Sequence, residues 1–86
     1  MADEEDTTRQ WLMRIAQAVE DWRTMPRDSV EVAMAVSTPA GAMVYIAGKI
    51  PSAEERDAVK SVLPTITTDD FVAAAQQIRQ AAETLP

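Results

Sequence analysis

The side chains of this chain that could do chemistry are carboxylates, a few bases and single aromatics. Its 86 residues include no histidine and no cysteine. That removes thiol nucleophiles, imidazole acid–base catalysis, Ser-His-Asp triads and zinc-finger ligand sets. Two adjacent carboxylate pairs, Glu54/Glu55 and Asp69/Asp70, are candidates for a metal or acid–base site. Neighbours on a helix diverge by about 100°, so neither pair converges on one ligand alone. EF-hand spacing is missing. Helix-start charges, favoured by the helix dipole, account for both pairs. Gly41 and Gly48 are the only glycines, too few for a phosphate-cradling loop. Tyr45 reads as a packing residue with its hydroxyl in water. Lys49, beside a partner in Glu31, and Lys60, on a polar helix face, lack the dry pocket that makes a lysine a base or Schiff-base former. The residues argue against an enzyme and imply no cofactor and no metal.

The net charge is −6, from 14 acids and 8 bases. Asp3, Glu4, Glu5 and Asp6 supply four of those acids, and Glu54, Glu55, Asp57, Asp69 and Asp70 fall at expected helix starts. Such a distribution disfavours direct nucleic-acid binding, which needs Lys/Arg clusters. Residues 1–6 read as a disordered acidic leader and 7–86 as one small domain. The opening residues lack the basic and apolar regions of a signal peptide. The longest apolar run, 40–48, falls far short of the roughly 20 residues of a transmembrane helix. A cytoplasmic location is expected.

Five elements must position these groups. A helix is expected over 8–25, opened by a capping-box pattern of Thr7 and Gln10. Its stripe is Trp11, Ile15, Ala18, Trp22 and Met25, joined by Leu12 and Val19, with Pro26 as its stop. Residues 29–37 and 42–50 alternate with period two and read as strands. Thr38-Pro39-Ala40-Gly41 would join them as a type I turn, with Gly41 at positive φ. The implied register pairs Val36 with Val44, Met34 with Ile46, and Glu31 with Lys49. A second helix should start at Ser52, boxed with Glu55, and stop at Pro64. A third should start at Thr67 or Thr68 and run to about Thr84, with the stripe Phe71, Ala75, Ile78, Ala82 and Leu85. The expected fold is therefore α+β, in the order α-β-β-α-α, with a single antiparallel β-hairpin packed on helices.

From the turn onward, Gly41, Val44, Ile46, Gly48, Ile50, Ser52, Glu55, Arg56 and Ala58 resemble the signature of a BON domain. The likeness covers roughly residues 11–63 and includes Pro26 and Asp28 upstream. It implies the α-β-β-α core and, as a function, contact with phospholipid or other proteins at a membrane or envelope. The chain departs from that pattern where Pro64-Thr65-Ile66-Thr67 replaces the third strand, and in its added last helix.

Six residues are candidates for a partner-binding surface: Trp11, Trp22, Tyr45, Phe71, Ile78 and Leu85. Each has a competing role in the core, since aromatic and aliphatic stripes usually face inward. The preferred reading is a non-enzymatic protein–protein interaction module, adaptor or small subunit. It would self-associate through the hairpin or the last helix, as a homodimer or within a larger assembly. Two alternatives stand beside it: the BON-like membrane-surface module, and a small acidic inhibitor or decoy of phage type.

Overall fold

Every regular element is a helix in the computed structural model, which describes residues 4–24 and 29–85. In chain order these are α1 (Glu4–Glu20), a 3-10 turn (Trp22–Thr24), α2 (Val30–Ala35), α3 (Pro39–Ala47), α4 (Ala53–Val62) and α5 (Phe71–Glu83). Among the described residues there is no strand, so the α+β expectation and its hairpin are overturned. The BON resemblance falls with them, because that family needs the hairpin. Met25, Pro26 and Asp28, used above for the first helix's end and for the resemblance, lie outside the described residues.

The middle of the chain shows why alternation misleads here. Val30, Val32, Met34 and Val36 would share one face of a strand. On a helix, two residues subtend about 200°, so the set splits into Val30/Met34 and Val32/Val36 on opposed faces. Val36 is 1% exposed, whereas Val30 and Met34 are 75% and 70% exposed. Alanine favours the helix, and two caps start it twice. Ser29 Oγ accepts from Val32 N at 3.1 Å. Thr38 Oγ1 accepts from Gly41 N at 3.1 Å, with Pro39 in the first turn of α3. Backbone bonds such as Val36 N to Val32 O and Ala42 N to Thr38 O then close helical turns. Thr38-Pro39-Ala40-Gly41 was read as a hairpin turn for a physical reason. A type I turn and a first helical turn share the same φ/ψ region, and proline suits both.

Gly41 does not take positive φ; no described glycine does. It is required for a different reason, close approach. A Cβ there would collide with the Ala35 carbonyl oxygen and lie 3.0 Å from Thr38 Oγ1.

The core is built on α1, which packs against α5, α3 and α4. Leu12, Ile15, Ala16 and Val19 form its buried stripe, all at 0% exposure. Facing them are Ala74, Ala75, Ile78 and Ala82 of α5, with Ala42, Met43, Ala47 and Ile50 from α3 and its exit, and Val59 of α4. Helices α1 and α5 run antiparallel and are fastened at both ends. At one end Arg9 donates to the Ala82 and Leu85 carbonyls at 3.2 and 3.1 Å, where α5 finishes. At the other, Trp22 stacks on Phe71 with ring centroids 4.5 Å apart. Between them Arg79 pairs with Glu20 at 3.1 Å. The radius of gyration, 12.4 Å, is close to the ~12 Å expected of a compact chain this long.

The flanking helices follow the sequence closely. Ser52 caps α4 by accepting from Glu55 N. Leu63 leaves the helix in an extended conformation, as a residue before proline should. α5 starts a little later than expected: Asp70, rather than Thr67 or Thr68, is its cap, accepting from Val72 N and Ala73 N. The acidic leader expected over 1–6 meets α1 at Glu4, where that helix begins.

Candidate functional site

The six candidate residues are distributed through the core and its margin. Ile78 is fully buried. Trp11, Tyr45, Phe71 and Leu85 are partly buried against the core. Trp22 is half-buried and stacked on Phe71. α1 positions Trp11 and the 3-10 turn after it positions Trp22, and each is occupied within the chain. Trp11 Nε1 donates to Glu55 Oε2 at 3.0 Å, joining α1 to α4, while Arg14 lies 5.1 Å from the centre of its ring. The Arg23 guanidinium lies over the Trp22 ring, 5.6 Å from its centre, a cation–π contact beside the stack of Trp22 on Phe71. Lys49 stands 5.1 Å over Tyr45. The structure therefore brings Trp22 and Phe71 together and keeps Trp11 and Tyr45 in separate neighbourhoods.

The carboxylate pairs do structural work. Glu55 serves Trp11, and Asp70 caps α5 with its side chain. Their neighbours Glu54 and Asp69 are exposed. Among the described residues no group of three side chains is arranged to hold a metal ion. Glu31 and Lys49, expected as a cross-strand pair, fall on α2 and just beyond α3.

Removing the Glu55 acceptor has a defined cost. Glu55→Ala should lower stability by about 1–2 kcal/mol, from a hydrogen bond to a charged group and a lost helix-start charge. Glu55→Gln, which keeps a neutral acceptor, should cost less than half of that. Thermal unfolding followed by tryptophan fluorescence separates the two, and equal losses would mean the Trp11 bond contributes nothing.

A further exposed apolar surface lies on α2, inside the segment expected as the self-associating hairpin. That helix has no buried residue. It carries Val30 and Met34, one turn apart, and α3, the next helix, carries Val44 at 53% exposure. Single exposed apolar residues are ordinary, but a helix whose large apolar side chains point outward as a pair is not the usual amphipathic solution. A signal was present in the sequence. Residues 29–53 contain only two charged side chains, Glu31 and Lys49. Period-two alternation there, if folded as helix, must leave half its valines and methionines outside.

No helix among the described residues is long and apolar enough to cross a membrane. Comparison with protein-family models, curated proteins and solved structures finds no match to this chain.

Proposed function

We propose that this chain is a small, non-enzymatic helical module that works by protein–protein contact, with the charge-poor surface of α2 and α3 as its contact face. The observation that supports it is the pair Val30 and Met34, 75% and 70% exposed on a helix that buries nothing. Leaving two such side chains in water forgoes about 1.5–3 kcal/mol each of potential burial, and a partner that covers them recovers it. The non-enzymatic part of the reading is supported by where the reactive groups are spent. Glu55 and Asp70 hold Trp11 and the start of α5, and both tryptophans pack within the fold.

The test is a matched capture from the native source. Intact protein and a Val30→Glu/Met34→Glu variant serve as baits, both checked for equal helicity by circular dichroism. The reading predicts a partner held by the first bait and lost from the second. A set of partners that is identical for both baits would contradict it.

A further inference from the structure

The proposal rests on that reading and deepens it: we infer that the occupant of the α2–α3 face is a second copy of this chain. A two-fold interface sets a patch against itself, so any net charge on the patch is doubled and repels. The chain as a whole carries −6, yet residues 29–53 hold one acid and one base, Glu31 and Lys49. The whole of the net charge therefore lies elsewhere, and this is the stretch on which two copies can meet without repulsion. In such a pair, Glu31 and Lys49 also offer each copy one charge of either sign at the margin.

The two remaining exposed large apolar residues among the described residues are less suited to a self-contact. Val72, 48% exposed, follows Asp69 and Asp70, so a two-fold contact there would gather four carboxylates. Met13, 41% exposed, is flanked on α1 by Arg9 and Arg14, which the fold already uses at the α5 carbonyls and over the Trp11 ring, so two copies meeting there would bring like charges close to groups that are already engaged. The charge-neutral stretch instead holds Val30, Met34 and Val44, three of the five exposed large hydrophobics among the described residues. Apolar centres with few charges are what the buried middle of a homodimer interface requires.

Sedimentation velocity on the full chain, from about 1 μM to 1 mM to span ordinary affinities, provides the test. The expected result is a monomer–dimer equilibrium. Val30→Glu/Met34→Glu should weaken it by at least about tenfold, as loss of central interface anchors does. Because α2 buries no residue, that variant should keep its helicity. Lys49→Glu, a second variant at an exposed position, turns the neutral face acidic. It should weaken the dimer at low salt, with recovery as salt is added. Val72→Glu should leave it unchanged. A dimer indifferent to Val30→Glu/Met34→Glu and to Lys49→Glu, or one broken by Val72→Glu, would overturn the inference. So would a chain that stays monomeric throughout. If that monomer still captured another protein only when Val30 and Met34 were intact, the contact-module reading would survive and the second copy would not. If it captured nothing in that manner, both would fall.

Discussion

Ile78→Ala is expected to destabilise the fold by about 3–4 kcal/mol, within the range for emptying a large aliphatic site in a packed core. Ile78 is the largest fully buried residue of α5, at 0% exposure. Its buried neighbours on α5 are Ala74, Ala75 and Ala82. Alanines have no flexible side chain to swing into the vacated space. α1, on the opposite side, is fixed by Arg9 at one end and by the Trp22–Phe71 stack at the other. The cavity therefore stays open, which keeps the cost clear of the low end of the range. A chain of 86 residues has about 4–13 kcal/mol of stability in total, so the variant should sit near the threshold of folding. Urea unfolding followed by circular dichroism should show a lower midpoint with an unchanged slope. A loss under about 1 kcal/mol, no more than an average point mutation costs, would mean that α5 is not packed on α1 in this way.

Gly41→Ala is the second large effect, at about 2–3 kcal/mol, in line with overpacking against atoms that cannot yield. The added methyl would collide with the Ala35 carbonyl oxygen and lie 3.3 Å from its carbon, both backbone atoms at the end of α2. Relief requires the α2–α3 corner to open, which disturbs Val36 and Ala42, both buried in the core. Gly48→Ala is the internal comparison. Gly48 closes α3 at φ −67°, a right-handed helical conformation any residue adopts. A Cβ there would meet only the Tyr45 and Val44 carbonyls, at 3.4 and 3.5 Å, which is ordinary contact. Alanine at 48 should be neutral or stabilising by up to about 1 kcal/mol, through the unfolded chain. Thermal unfolding of the two variants should therefore move in different directions. Equal behaviour would show that the close approach of Ala35 to Gly41 is not a feature of the fold.

The ends of this molecule were legible in its sequence because their signals are local and redundant. In α5, period and chemistry agree: Ala75, Ile78 and Ala82 are buried, and Phe71 and Leu85 pack at the core's edge, as their spacing implies. Ser52 and Glu55 announced α4, and Pro64 its end. In α1 the stripe was found but centred too far toward the tryptophans. Leu12, Ile15, Ala16 and Val19 are its fully buried members, while Trp11 and Trp22 lie at the margin, where their large rings bridge to α4 and α5.

The middle was misread for an equally physical reason. Val30-Glu31-Val32-Ala33-Met34-Ala35-Val36 satisfies a strand's alternation, and Pro39 with Gly41 satisfies a turn. A lone hairpin is marginal in water, however, with two edges unsatisfied. Helices at 30–35 and 39–47 satisfy their backbone internally and bury Val36, Ala42, Met43 and Ala47. Alternation could not reveal that choice, because it records which residues are apolar, not which of them the fold can cover. Within the segment expected as a self-associating hairpin, the helical solution leaves Val30 and Met34 in water, while the fold uses the rings of Trp11, Trp22 and Phe71.

The most direct test of the account is a dilution series of the assigned amide spectrum of the intact chain. The account predicts helical carbon shifts at Val30–Ala35 and Pro39–Ala47. It also predicts concentration-dependent amide shifts gathered around Val30, Met34 and Val44, while Ala74, Ala75 and Ile78 hold still. Extended-chain shifts over 30–35, or concentration-dependent movement centred on Val72 instead of α2, would contradict it.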